Sequence, residues 1–197
     1  MLQLFINIFL KMFLLLTPFF VVSAFLSLTK DMSKSERQRI AIKVTFAIIL
    51  ACFVLFLFGS YLFSVLGITL DAFRIGAGAI LFLSAVSLVQ GKEAVSAQEP
   101  KEYIAVVPLA IPITVGPGTI GALLVMGAGL KTVPEKITAS LGLLCAVIAV
   151  GALLIAAGRL ESILGQQGLT ILTKLTGLFL SAIAAQIFFT GLVSFIN

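Results

Sequence analysis

Residues 108–121 have the sequence Pro108-Leu109-Ala110-Ile111-Pro112-Ile113-Thr114-Val115-Gly116-Pro117-Gly118-Thr119-Ile120-Gly121, inside an uncharged run that is long enough to cross a bilayer. Three prolines and three glycines interrupt this run, so a continuous helix is not expected. Backbone groups freed at membrane depth must find partners inside the protein or line a cavity. A proline kink that only shapes the helix bundle is the plainer interpretation. Three prolines that close with Gly-Pro-Gly favour a broken helix that forms a ligand site.

The composition around this stretch is that of an integral membrane protein. The 197 residues are 60% hydrophobic and 11% charged, and the mean hydropathy is +1.23. We therefore expect one membrane domain over residues 1–197. The net charge of +5 comes from short loops, where basic residues orient a chain in the membrane, and it does not indicate nucleic-acid binding.

The apolar segments predict six transmembrane helices, of which the first contains Thr17-Pro18 and the fourth contains residues 108–121. Ser33 and Glu36 form a candidate capping box before the second helix. Pro134 lies near the expected start of the fifth helix. The expected bounds are a first helix to about Leu28, a second over Ile42–Leu66, a third over Asp71–Val89, a fifth to about Gly158, an amphiphilic turn over Arg159–Gly168 and a sixth helix over Leu169–Phe195.

The two halves of the chain resemble each other. Thr17-Pro18 aligns with Gly116-Pro117 at an offset of 99 residues, and Arg74 aligns with Lys174 after a one-residue slip. Three helices per half would insert the halves in opposite orientations. The predicted fold is therefore an all-α membrane protein with six transmembrane helices in two inverted three-helix repeats, in which helices one and four are broken. Repeat one covers about 12–91, a cytoplasmic linker about 92–103 and repeat two about 104–191.

The distribution of Lys and Arg predicts the orientation in the membrane. Nine of them fall on one side and four on the other, which places the first side in the cytoplasm and both termini outside. The nine are Lys30, Lys34, Arg37, Arg39, Lys43, Lys92, Lys101, Arg159 and Lys174, and the four are Lys11, Arg74, Lys131 and Lys136. A multi-pass protein of a bacterial or archaeal plasma (inner) membrane is expected.

The fourth-helix break offers groups that suit a small zwitterion. If Pro117 opens a half-helix, the amides of Gly118, Thr119 and Ile120 are unpaired donors at a positive helix end, which suits a carboxylate. Freed carbonyls before the break could receive an ammonium group, and the bare glycines would leave room for a small ligand. An anion channel would use the same helix end. The candidate binding residues are Thr17, Pro18, Ile111, Pro112, Ile113, Thr114, Gly116, Pro117, Gly118, Thr119 and Ile120.

Three charged residues are candidates for ion coupling or gating, namely Asp71, Arg74 and Lys174. The alternative for the first two is a helix start at Thr69 or Leu70, with Asp71 in the first turn and paired with Arg74. Gln186 is predicted to make an interhelical hydrogen bond.

Two segments resemble the MarC family of membrane proteins. One is Gly67-Ile68-Thr69-Leu70-Asp71-Ala72-Phe73-Arg74-Ile75-Gly76-Ala77-Gly78, and the other is Val107–Pro112 followed by Gly116–Ile120. The resemblance covers essentially the whole chain, and SnatA-type members of that family transport small neutral amino acids such as glycine and alanine. The family's first broken helix usually has the pattern Asn-Pro-x-Gly-x-x-Pro, whereas this chain has Thr17-Pro18-Phe19-Phe20-Val21-Val22-Ser23.

Together these features predict a secondary transporter of small neutral amino acids, with the substrate held at the helix breaks. An exporter or channel for another small solute, and an accessory membrane protein without transport activity, are the alternatives. No enzyme activity and no cofactor are expected, because no apolar segment holds paired acids and the chain has no histidine. The expected partners are the solute, the lipid bilayer and a coupling cation, either H⁺ or Na⁺, while a homo-oligomer stays open.

Overall fold

The structure, a computed structural model, describes residues 1–91 and 105–196. Within these ranges it contains seven α-helices, one π-helix and no strand. They are α1 (Leu2–Leu15), α2 (Pro18–Leu28), α3 (Lys34–Leu66), α4 (Leu70–Gln90), the π-helix (Ala105–Thr114), α5 (Pro117–Gly129), α6 (Val133–Ile155) and α7 (Ala157–Ile196). The predicted linker over residues 92–103 lies outside the described residues.

Local capping fixes where the long helices begin. The Ser33 hydroxyl accepts from the amide of Glu36, and the Glu36 carboxylate accepts from the amide of Ser33, so the predicted capping box is confirmed. The second predicted helix therefore begins at Lys34, and the expected start near Ile42 was wrong, because the cap lies outside the apolar run. Thr132 and Glu135 cap α6 in the same way, with Pro134 in its first turn as predicted.

The start of α7 corrects a second expectation. The expected turn over residues 159–168 is a helical section that begins at Ala157, where the Ala156 carbonyl accepts from the amides of Arg159 and Leu160, and that ends in a kink at Gly165. Only Gly165 leaves helical geometry, with φ 65° and ψ 174°. This backbone conformation is open to glycine and strained for other residues. The amphiphilic segment is therefore a short helical section before the apolar part of α7.

In the described part of the chain, five helical segments are long and apolar enough to cross a membrane. They are Leu2–Leu28, Lys34–Phe58, Leu70–Gln90, Val133–Ile155 and Ala157–Ile196. A further apolar helix, Pro117–Gly129, is shorter. The all-α membrane class is thereby confirmed, while six spans in two inverted repeats stay a prediction.

Helix α4 lies antiparallel along α7 at very short range. A Cβ atom built on Gly78 would come 2.8 Å from Cβ of Phe188, near the end of α7, and one built on Gly177 would come 3.2 Å from Cβ of Leu88, near the end of α4. Helices α3 and α6 also pack against each other, and α5 fits between α3 and α4. Small residues permit this close approach of apolar helices in a membrane protein.

Candidate functional site

The first break separates α1 from α2. The amide of Thr17 donates to the carbonyl of Leu14, and Pro18, which has no N–H, occupies the first turn of α2. Thr17 adopts φ 46° and ψ 56°, and it is the one non-glycine residue with positive φ in the described ranges. A β-branched side chain in this left-handed region is strained. The backbone is thus held out of helical geometry at a buried position.

The second break separates the π-helix from α5. The amide of Val115 donates to the carbonyl of Ala110 at 2.9 Å, and the hydroxyl of Thr114 donates to the carbonyl of Leu109 at 2.7 Å. Both bonds span five residues, so the chain before the break is wound more widely than an α-helix. Pro117 then opens α5, where a missing N–H leaves no bond unmade.

A hydrogen bond joins the two breaks. The hydroxyl of Thr119, in the first turn of α5, donates to the carbonyl of Leu15 at the end of α1 over 3.0 Å. Both residues are buried. In a continuous helix that carbonyl would accept from the amide four residues later. Residues more than 100 positions apart in sequence therefore meet where both helices are interrupted.

The predicted row of free amides after Pro117 is shorter than expected. The amide of Ile120 donates to the carbonyl of Gly116 at 2.9 Å, as in an ordinary first helical turn, so the prediction that it is an unpaired donor was wrong. The amides of Gly118 and Thr119 are the two that remain as candidates for a ligand.

The glycines of α5 have a packing role that the sequence did not indicate. A Cβ on Gly118 would come 2.6 Å from Cδ1 of Leu81, and a Cβ on Gly121 would come 2.5 Å from Cβ of Ala77. Helix α4 therefore occupies the space that the bare glycines leave on this side. Consequently, Gly118→Val would disturb the packing of α4 on α5 whether or not a ligand binds nearby.

The remaining candidate residues of the breaks differ in exposure. Pro18 and Thr114 are buried, Ile113, Gly116 and Ile120 are half-buried, and Ile111 and Pro117 are exposed. The side chain of Pro112 lies outside the described part of the chain. A role in ligand binding stays a prediction for all of these residues.

A cavity of about 350 Å³ extends from the end of the bundle where α1 begins to the first break. We call it the Arg74 cavity. Lys11 and Arg74 line it, and Leu15, whose carbonyl bonds Thr119, lies at its inner part. Gln186 and Thr190 of α7 add polar groups to its wall. Its volume falls in the range of small-molecule sites.

The charged candidates separate into a pair and a single residue. Arg74 Nη1 donates to Asp71 Oδ1 at 2.7 Å, and the Thr69 hydroxyl accepts from the amide of Ala72, so the alternative with a capped helix start and an ion pair is confirmed. Lys174 is exposed and lies one turn from Gly177, which packs near the opposite end of α4. The fold therefore does not bring Lys174 to Arg74.

Two residues of this cavity were misjudged or missed. Gln186 was expected to bond another helix, but in the described ranges its side chain is exposed and bonds no other helix. Lys11 was assigned only to orientation in the membrane, although a lysine inside the apolar segment Leu2–Leu28 was the available signal. No group of three or more His, Cys, Asp or Glu residues comes together within residues 1–91 and 105–196.

Known proteins are similar to this chain over nearly its full length. The sequence profile described as MarC family integral membrane protein matches residues 2–196. A UPF0056 membrane protein of Aquifex aeolicus is 35% identical over 96% of this chain and 92% of its own length. UPF0056 membrane protein MJ1677 of Methanocaldococcus jannaschii is 35% identical over 97% of each chain, and YvbG of Bacillus subtilis is 32% identical over 95% and 93%. No solved structure matches.

Proposed function

The chain belongs to the MarC family of integral membrane proteins, and from that premise we propose that it is a secondary transporter of small neutral amino acids such as glycine and alanine. The hydrogen bond between Thr119 and Leu15 carries this proposal, because it joins two interrupted helices at the inner part of a polar-lined cavity. Discontinuous helices that meet inside the membrane are a common construction of transporter sites.

The polar groups of the Arg74 cavity support a zwitterionic solute. Asp71 already pairs with Arg74, so Lys11 gives the cavity its net positive charge, which attracts a carboxylate from the outer solution. Gly118 and Thr119 do not line the cavity, but their amides lie at the positive end of α5, an end that favours a carboxylate. Gln186 and Thr190 offer acceptors for an ammonium group.

The helix packing supports the inverted repeat. At an offset of 100 residues between the halves, Gly78 matches Leu178 and Leu88 matches Phe188. The contact of Gly78 with Phe188 should therefore have a counterpart between Leu178 and Leu88. Gly177, the neighbour of Leu178, does lie against Leu88. A pseudo-two-fold axis in the membrane plane would relate these two contacts. In this arrangement the π-helix and α5 together form the fourth span, and both termini lie outside.

Reconstitution tests the transport activity. Purified protein in liposomes should accumulate radiolabelled glycine or alanine, and an imposed proton or sodium gradient should increase the accumulation. Uptake no greater than that of protein-free liposomes under both gradients would favour an accessory membrane protein. Gradient-independent passage of chloride would instead indicate a channel that uses the same helix end.

A matched pair of variants tests the cavity. Lys11→Gln should raise the KM for alanine about fivefold, the effect of losing roughly 1 kcal/mol of attraction at the entrance. Lys136 is an exposed cation on the same predicted side of the membrane, but it does not line the cavity. Lys136→Gln should therefore leave the KM unchanged. Equal effects of the two substitutions would show that only the general surface potential matters.

A further inference from the structure

A second cavity, of about 610 Å³, lies at the other end of the span Leu2–Leu28. It is enclosed by the end of α2, the start of α3, the end of α6 and the start of α7. Three cationic side chains line it, those of Lys34, Arg37 and Arg159. We call it the Arg159 cavity, and neither the family membership nor the proposed transport explains it.

The wall of the Arg159 cavity combines positive charge with apolar surface. Phe25, Leu26 and Leu154 form part of its apolar wall. Among the residues that the structure describes, no acidic side chain lines it. A pocket with these two kinds of wall suits an amphiphile with an anionic head and a hydrocarbon tail.

Arg37 is held in place before any ligand arrives. Its Nε donates to the carbonyl of Thr29 at 2.9 Å and its Nη2 to the carbonyl of Lys30 at 3.0 Å, where α2 ends. A guanidinium has five N–H donors, so others remain for a further acceptor. Because its position is already ordered, binding an anion costs less conformational entropy.

Two carboxylates near this cavity accept hydrogen bonds from neighbouring residues of the chain. Glu36 accepts from the backbone and hydroxyl of Ser33, at 2.8 and 2.7 Å. Glu161 accepts from the side chain of Gln166 at 2.6 Å. Three cationic side chains and no acidic side chain line the described part of the Arg159 cavity, so its lining is positively charged.

We propose that the Arg159 cavity binds the phosphate headgroup of an anionic phospholipid, with an acyl chain against its apolar wall. The nine-to-four distribution of basic residues puts this end of the bundle at the cytoplasmic leaflet, where anionic headgroups and basic pockets between helices meet. A free phosphate ion would use the same cations but would leave the apolar wall uncovered. The inference does not depend on transport, since the two cavities lie at opposite ends of the bundle.

Lipid titration followed by native mass spectrometry tests this site. Detergent-purified protein should retain one phosphatidylglycerol, and phosphatidylcholine should bind much more weakly. Lys34→Gln combined with Arg159→Gln should weaken phosphatidylglycerol binding about tenfold or more. Arg37 is left intact because it also caps α2. Each single substitution serves if the double variant does not fold, as judged by size-exclusion chromatography.

Arg39→Gln combined with Lys43→Gln is the matched control. Both residues are exposed cations of α3, and neither lines the cavity. This pair should change the affinity less than about twofold, because surface attraction alone is spread over many charges. Equal losses in the two double variants, or equal binding of phosphatidylcholine, would overturn the proposal. Displacement of bound phosphatidylglycerol by inorganic phosphate would assign the cavity to a soluble anion instead.

Discussion

The hydroxyl of Thr119 donates to the carbonyl of Leu15 across 3.0 Å, and this bond links the first turn of α5 to the last turn of α1. The hydroxyl of Thr119 satisfies a carbonyl that the first break leaves without a helical partner. Ending α1 at the break leaves a carbonyl to be satisfied, and the membrane interior offers no water for it. A threonine in the first turn of α5 provides the donor. The two interruptions therefore stabilise each other, whatever passes between them.

Removing that donor should loosen the junction. Thr119→Val keeps the shape of the side chain but leaves the Leu15 carbonyl without the hydroxyl, at a cost of about 1 kcal/mol. We expect a lower midpoint of thermal unfolding in detergent, and reduced alanine uptake in liposomes. Thr119→Ser keeps the hydroxyl and should behave like the wild type. An unchanged midpoint for the valine variant would show that the bond contributes nothing to stability.

The left-handed backbone of Thr17 predicts a stabilising substitution. Asparagine and glycine tolerate φ 46° better than a β-branched residue does, so Thr17→Asn and Thr17→Gly should stabilise the fold by about 1 kcal/mol. Asparagine is also the residue that the MarC pattern places before this proline. Thr17→Val keeps the branching and serves as the control. If Thr17→Gly unfolds at a lower temperature than the wild type, contacts of the threonine side chain outweigh its strain.

The contact of Gly121 with Ala77 predicts a compensating pair. Gly121→Ala would bring two methyl groups to 2.5 Å and should destabilise the protein by about 1–3 kcal/mol. Ala77→Gly removes the opposing methyl, which leaves Cα of residue 77 at 3.2 Å. The double variant should therefore recover most of the loss, as a double-mutant cycle of thermal or denaturant unfolding would measure.

A glycine of α4 provides the control for that cycle. Nothing lies within 4 Å of a Cβ built on Gly76, one residue before Ala77. Gly76→Ala should be neutral or slightly stabilising, since alanine favours the helix. Additive effects of the Gly121 and Ala77 substitutions would contradict the direct contact between them.

The orientation in the membrane is open to a direct measurement. The nine-to-four distribution of Lys and Arg predicts that both termini lie outside. Alkaline phosphatase fused after Asn197 should be active in a Gram-negative host, and green fluorescent protein at the same position should be dark. Bright fluorescence with inactive phosphatase would show that the C-terminus lies in the cytoplasm, and that the Arg74 cavity is on the cytoplasmic side.

Features that depend only on neighbouring residues could be predicted from the amino-acid sequence. Capping boxes and prolines act over three or four positions, so the starts of α3 and α6 follow from the residues at those sites. The apolar segments likewise determined the membrane class, because a helix must satisfy its own backbone in lipid. Helix α3 begins at Lys34 and not near Ile42, because the capping box, and not the edge of the apolar run, sets its first turn.

The contacts that each helix makes with distant parts of the chain could not be predicted and became known from the fold. The space beside Gly118 belongs to Leu81, and the carbonyl of Leu15 meets a threonine more than 100 residues away. Lys174 and Arg74 occupy matching positions in sequence, yet they lie near opposite ends of the α4 and α7 pair. An apolar helix in a bilayer has no polar face that marks its partner, because lipid and protein interior are equally apolar. Its rotation and neighbours are therefore set by close packing between distant segments, which the order of residues along one helix does not encode.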